Sequence, residues 1–259
     1  MWLDLRALEG ALDTKFVGRR LVYLTSTRST MDIARAEAEA DAAEGTVVFA
    51  EEQTAGRGRF GRAWLSPVGK NLYFTLIVRP GVERLRRLSM ITPLAVCLAV
   101  EEAAGLPAAI KWPNDVLLAG RKVCGVLIET ESSGSTPRYA LIGPGVNVNY
   151  DIDPESEIAN IATSVKQELG RETSREPIFA SIMNHFERLY EQEDGEAVRA
   201  PWKARLETLG RRVQLTFAGE VHEGVAEDVD AEGNLILLRD DGSRQTFEAG
   251  EVSLRPPAS

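Results

Sequence analysis

Cysteine and histidine are nearly missing from this chain, with two of each among 259 residues. Cys97 and Cys124 lie apart in apolar runs and form no C-x-x-C pair, so no spacing points to a bound metal or a redox couple. Two buried free thiols in a reducing cytoplasm are expected. His185 and His222 stand equally alone, and no Ser-His-Asp or Cys-His set is evident. No apolar run approaches the roughly 20 residues that a membrane span needs. The opening MWLDLRALEGALD carries acids where a signal peptide needs basic residues. Neither export nor membrane insertion is expected. Positive charge is also in deficit: 30 Lys and Arg against 39 Asp and Glu give a net charge of −9. A chain of this sign, with a pI near 5.0, repels nucleic acid and anionic membranes as a whole, so any anion site must be local.

What is present is ordinary globular composition, 44% hydrophobic and 27% charged. The length suits a main domain with one small appended domain. Leu3, Leu5, Leu8 and Leu12 have helical spacing, and a strand follows at Arg20 to Thr25. Ser29 and Thr30 precede the alanine-rich MDIARAEAEADAA, which places a hydroxyl at a helix N-cap. TVVFA and NLYFTLIV read as strands, and Arg86 to Ala104 reads as a buried helix with Pro93 in its first turns. AAIKW, a hairpin turning at Ala119 to Arg121, and YALIGPGVNVNY continue the strands without helices between them. That succession predicts an α+β domain with a mixed or antiparallel sheet covered by helices. The helices expected to cover it are Ser156 to Leu169, Pro177 to Gln192 and Glu196 to Leu209. From Arg211 onward about five short strands with turn signals predict a small SH3-like β-barrel. The domains expected are 1–209 and 210–259.

Three segments carry candidate chemistry. GRGRFGRAW, Gly56 to Trp64, holds three glycines, Arg57, Arg59 and Arg62, and no acid. Glycine lets backbone N–H groups approach a ligand closely, and guanidinium forks match phosphate and carboxylate oxygens. The same composition also suits a solvated surface loop. Gly56, Gly58 and Gly61 satisfy G-x-G-x-x-G, but the loop runs into the strand NLYFTLIV rather than opening a helix, which rejects a dinucleotide fold. A phosphate loop of the Walker type fails for want of Gly-Lys followed by Ser or Thr. In KWPNDVLLAGRKVCGVLIE, Lys111, Asn114 and Asp115 sit at one end of a hairpin and Lys122 just beyond its turn. Lys122 either points into a site or reaches solvent, and Asp115 is either functional or a turn residue bonding its own backbone. IGPGVNVNY adds two glycines with Asn147 and Asn149, amides that both donate and accept.

In order and spacing, EEQTAGRGRFGRAW, NLYFT, KWPNDVLLAGRKVCGVLIE, IGPGVNVN and GEVSLRP resemble biotin protein ligases from about Ser26 to Arg255. GRGRxGRxW together with KWPND is the specific part; 151–209 adds little. The resemblance implies the class II synthetase-like biotin/lipoate ligase fold. Its activity would be formation of biotinyl-5′-AMP from biotin and ATP, with Mg²⁺, then transfer of biotin to a lysine of a biotin carboxyl carrier protein or carboxylase domain. It further implies a biotin pocket of Ser29, Thr30, Met31, Gln53, Gly56, Arg57, Gly58, Arg59, Lys122, Gly125 and Gly145. ATP would meet Arg57, Arg59, Trp64, Lys111, Asn114, Lys122, Asn147 and Arg255, with Glu251 closing the nucleotide side. Lys122, Arg57 and Arg59 would stabilise charge, and Asp115 would orient or deprotonate the carrier lysine. The resemblance allows a monomer or a homodimer.

Two departures stand out. Such ligases usually follow Ser-Thr with Asn, and here the residue is Met31, which has no amide to offer. Only about 25 residues precede the first motif, so the winged-helix DNA-binding domain of repressor-type ligases is expected to be absent. Two rivals remain: a lipoate ligase or octanoyl transferase, against which GRGRFGRAW and KWPND argue, and a biotin-sensing module without catalysis, disfavoured by Lys122, Arg57 and Arg59.

Overall fold

The computed structural model describes residues 2–254. Its larger sheet contains β1 (Leu21–Leu24), β2 (Val47–Ala50), β3 (Leu72–Val78), β4 (Ala108–Lys111), β5 (Asp115–Leu118), β6 (Arg121–Ser133) and β7 (Thr136–Val146), in the order β1-β2-β3-β7-β6-β5-β4. The chain also forms α1 (Leu5–Ala11), α2 (Thr30–Glu39), α3 (Val82–Ala104), α4 (Val165–Leu169), α5 (Arg175–Tyr190) and α6 (Gly195–Lys203). β1 and β2 run parallel because α2 crosses between them. The other neighbours are antiparallel, so the sheet is mixed, as the run of strands without helices predicts.

Alternation decides which helices cover which face. Val47, Phe49, Leu76 and Val78 point into a core shared with α3, α5 and α6, while Val48 and Ile77 point to the other side and meet Met31, Ala34 and Ala38 of α2. Alanine on α2 lets that helix lie close to the sheet. Its first turn, with Ser29 and Thr30, is thereby held near the end of β2.

The smaller sheet is antiparallel: β8 (Arg212–Phe217), β9 (Glu220–Val229), β10 (Leu235–Leu238), β11 (Arg244–Phe247) and β12 (Glu251–Leu254), in the order β11-β10-β9-β8-β12. Val213, Leu215 and Leu235 join the same apolar core as the larger sheet. The Trp112 indole N–H donates to the Gly233 carbonyl at 3.0 Å. These contacts bring Gly250 and the start of β12 beside the hairpin of β5 and β6. Among the described residues no helix is long and apolar enough to cross a membrane.

Three local expectations need correction. α3 begins at Val82, so Pro93 lies in mid-helix rather than in the first turns. Its missing N–H removes one helical hydrogen bond, and burial of every residue from Met90 to Val96 holds the turn regardless. The helix expected from Ser156 forms only as α4, because residues 161–163 pair with β6 instead. Lys122 N–H donates to the Ile161 carbonyl (2.8 Å) and Thr163 N–H to the Lys122 carbonyl (2.9 Å). α6 stops at Lys203 for the same kind of reason: Ile110 N–H donates to Arg205 and Glu207 N–H to Ile110, which recruits 205–207 to the edge strand β4.

Candidate functional site

Gly125 on β6 faces Gly145 on β7 in the ladder. Two side-chain-free positions opposite each other leave a trough, and the Trp64 indole lies in it. A Cβ at Gly145 would stand 2.5 Å from Trp64 Nε1, and one at Gly125 would stand 3.2 Å from its Cζ3. Nε1 is buried with no hydrogen-bond partner among the described residues. The Lys122 ammonium stands 5.3 Å from the same ring's centroid and 2.7 Å from an Asp115 oxygen. The two strand bonds to 161–163 pin the Lys122 backbone.

Trp64 divides two chambers. On one side is a small cleft of about 30 Å³, lined by Ser29, Thr30, Met31, Gln53, Arg57, Gly143 and Gly145 among others. Its floor is a fixed polar set. Gln53 Oε1 accepts from the Thr30 N–H (2.9 Å) and hydroxyl (3.0 Å), and Gln53 Nε2 donates to Ser66 Oγ (3.1 Å). Ser29 occupies the N-cap position of α2 with extended backbone, yet its side chain makes no capping bond. The expected capping role is thus not taken up, and the hydroxyl stays buried beside the cleft. Met31 lines the cleft as an apolar wall, and a Cβ at Gly143 would stand 2.9 Å from its Sδ.

On the other side lies a cavity of about 630 Å³ whose walls include Gly58, Arg59, Lys111, Asn114, Asp115, Lys122, Gly125, Asn147 and Glu251. Asn114 is held from both ends: its Oδ1 accepts from Arg59 (2.9 Å) and its Nδ2 donates to the Val126 carbonyl (2.6 Å). Asn147 Nδ2 donates to the Thr163 carbonyl at 3.1 Å.

The basic loop is tied down at three points, although the Arg57 and Arg62 side chains stay 40% and 65% exposed. Arg57 makes a two-pronged contact with Asp32 of α2 (2.6 and 3.1 Å), and that hydrogen bonding holds the Asp32 carboxyl below its usual range. Arg62 does the same with Glu251 (2.6 Å), again lowering the carboxyl. Arg59 reaches past Asn114 to the Gly250 carbonyl (3.1 Å), and burial pulls its guanidinium below the ordinary value. At the apex Phe60 is exposed at φ 57°, a left-handed conformation that costs a side-chain-bearing residue about 1–2 kcal/mol.

Most of the anticipated residues therefore line one or other of the two chambers. Gly56 lines neither chamber. It lies under the loop's neck, where a Cβ would meet the Trp64 carbonyl at 2.6 Å and Ser66 Oγ at 2.8 Å. Arg255 lies outside the described residues. Sequence reasoning missed Asp32, Ser66, Asn71, Gly143 and Thr163. Asp32 reads in the sequence as an ordinary first-turn acid, and Asn71 as an ordinary strand entry; only their partners give them a role.

Residues 23–147 match the biotin/lipoate A/B protein ligase family and residues 208–255 the biotin protein ligase C terminal domain. The bifunctional ligase/repressor BirA of Bacillus subtilis is 33% identical, covering 92% of this chain and 75% of that protein. A biotin–acetyl-CoA-carboxylase ligase of Mycobacterium tuberculosis is 33% identical over 96% of this chain and 95% of its own length. A solved biotin protein ligase from Aquifex aeolicus, in complex with biotin and ATP, superposes with a TM-score of 0.75 at 29% identity, covering 92% of this chain and 99% of that one.

Proposed function

The chain belongs to the biotin protein ligase family, and from that premise we propose how its two chambers join biotin to ATP and pass it to a carrier lysine. The observation that carries the reading is their meeting point. A small polar cleft edged by Arg57 and a larger cavity that holds Arg59, Lys111 and Lys122 adjoin at Trp64, with the Lys122 ammonium over that ring. Ser29, Thr30 and Gln53 suit a ureido ring, which both donates and accepts. As folded, the cleft is too small for a bicyclic ring, so biotin enters by displacing the Trp64 indole from the glycine trough. The displaced ring is then available to stack on the adenine side, next to Asn114 and Asn147.

The first reaction brings together two anions. A biotin carboxylate oxygen attacks the α-phosphorus of ATP, the bond to the bridging oxygen breaks, and pyrophosphate leaves with its electron pair. Lys122, Arg57 and Arg59 stabilise the charge on the phosphoryl oxygens, and no covalent enzyme intermediate is required. Arg57 must partly leave Asp32 to meet the carboxylate. The nucleotide substrate is MgATP. Among the described residues no cluster of three ligating side chains exists, and Asp115 and Glu251 already have cationic partners, so the ion suited here is one carried by the phosphates. In the second reaction the carrier lysine, whose ordinary pKa is about 10.4, attacks the anhydride carbonyl and AMP departs. Asp115 takes its proton. The carrier is a biotin carboxyl carrier protein or the equivalent domain of a carboxylase, and the reaction is cytoplasmic. Residues 1–209 act as the catalytic unit and 210–259 as the unit that closes on the nucleotide through Gly250 and Glu251.

Incubation with ATP, labelled biotin or lipoate, and a carrier domain tests the reading. Biotin label on the carrier with pyrophosphate release is expected; lipoate transfer, or biotin uptake without pyrophosphate, would overturn it. Asp115→Asn should slow transfer from preformed adenylate by about a hundredfold, within the range for loss of a general base, while adenylate formation falls far less. Equal losses in both single-turnover steps would remove Asp115 from the base role. Arg59→Gly removes the bolt between the loop, Asn114 and Gly250. Biotinyl-5′-AMP should then escape about tenfold faster, the equivalent of losing one good charged hydrogen bond. Trapping released adenylate with hydroxylamine measures this, and an unchanged escape rate would show that the bolt does not retain it.

A further inference from the structure

We propose that Asn71, which lines neither chamber, selects the nucleotide base by fixing which way the amide of Asn147 faces. This rests on reading the larger cavity as the nucleotide site. Asn71 is fully buried immediately before β3. Its Oδ1 accepts from the Val148 N–H (2.9 Å) and its Nδ2 donates to Asn147 Oδ1 (3.2 Å). Asn147 Nδ2 in turn donates to the Thr163 carbonyl (3.1 Å).

The direction of this chain of hydrogen bonds is set at both ends by backbone groups with only one option. The Val148 N–H can only donate, so the oxygen of Asn71 must face it and the amino group of Asn71 must face Asn147. The Thr163 carbonyl can only accept, so the amino group of Asn147 must face it. An Asn amide is otherwise free to turn end for end, because its two halves have nearly the same shape. Here a flip would set oxygen against the Thr163 carbonyl and amino group against amino group. The Asn147 backbone has no play either: its N–H donates to Val123 (2.8 Å) and its carbonyl accepts from Val165 (3.0 Å).

Among the described residues each half of that amide makes one bond, which leaves each one more to make, and Asn147 borders the cavity. It therefore presents a donor and an acceptor in one order. Adenine carries an exocyclic N–H donor beside a ring-nitrogen acceptor. On the same N1 edge hypoxanthine carries the reverse, a carbonyl acceptor beside a ring N–H, and on its N7 edge it carries two acceptors, so neither edge matches adenine. A site whose polar order is locked rejects the reversed order because buried groups are left unpaired. Asn71 is thus a positioning residue.

The test compares ATP with ITP in biotin-dependent pyrophosphate release, with biotin calorimetry on each variant as the check of folding. The wild-type chain should favour ATP by about a hundredfold or more in kcat/KM, as expected for hydrogen-bond discrimination of a base. Asn71→Asp keeps the acceptor for Val148 but turns an oxygen toward Asn147, which inverts the amide or loosens it. ATP preference should fall by about tenfold or more, through a higher KM for ATP with kcat nearly kept, while biotin affinity stays as in wild type. Asn71→Ser, whose hydroxyl rotates to donate or accept, should give an intermediate preference, and it decides the matter if the Asp variant does not fold. An unchanged ATP-to-ITP ratio in a variant that binds biotin normally overturns the proposal, as does an equal fall in kcat with both nucleotides. A wild-type chain that binds biotin but releases no pyrophosphate would instead sink the reading of the site itself.

Discussion

Pyrophosphate release at saturating biotin and ATP is expected to fall by about 10²–10³-fold when Lys122 is replaced by Gln, the usual loss for removing a fixed electrostatic stabiliser of a transition state. Lys122 is suited to that role because its backbone is clamped between Ile161 and Thr163 and its ammonium stands at the junction of the two chambers. The ammonium also pairs with Asp115 at 2.7 Å. Biotin affinity should weaken much less than the rate if the ring lies, as proposed, in the other chamber. Lys122→Arg preserves charge but replaces a compact ammonium with a planar fork, so only partial recovery is expected. A Gln variant retaining a fifth or more of the wild-type rate, roughly 1 kcal/mol of barrier, would show that Lys122 does not carry the phosphoryl charge.

Arg175→Met should destabilise the fold by about 3–5 kcal/mol, the cost of breaking a buried ion pair from one side. Glu51 is 0% exposed and Arg175 is 4% exposed, at 2.7 Å. The Glu51 carboxylate joins four parts of the chain. Oε1 accepts from the Leu3 N–H (2.6 Å) and the Tyr23 hydroxyl (2.7 Å), and Oε2 accepts from Arg175, which also donates to the Asn71 carbonyl (2.9 Å). The Tyr23 hydroxyl is pushed well above its ordinary value, first by burial and then by this bond. Without the guanidinium an anion remains at the centre of the core. The midpoint of thermal unfolding should drop by roughly 10 °C. The double variant Glu51→Leu, Arg175→Met should lose less than Arg175→Met alone, since two apolar groups leave no unpaired charge. A loss below about 1 kcal/mol in the single variant would mean that water or another donor reaches Glu51.

How far the sequence could be read depended on how local each cause was. The strands NLYFTLIV and TVVFA and the hairpin turn at Ala119 and Gly120 follow from neighbouring residues, and all formed where they were expected. Helix ends were less legible. At 161–163 and 205–207, helix-compatible stretches lost to pairing with Lys122 and Ile110, partners that lie many residues away. The basic loop could be recognised as a concentration of arginines, but its composition does not say that Asp32, Gly250 and Glu251 wait to receive them.

From the order of residues alone came the class of the fold and a list of side chains able to handle an anion, because periodicity and local composition are written along one dimension; the family came from resemblance. The partition by Trp64, the pairing of each loop cation and the locked direction of the amide at Asn147 arose only in three dimensions. Each depends on hydrogen-bond partners or bare backbone brought within contact distance by sheet register, and register is decided by the whole core rather than by any one segment.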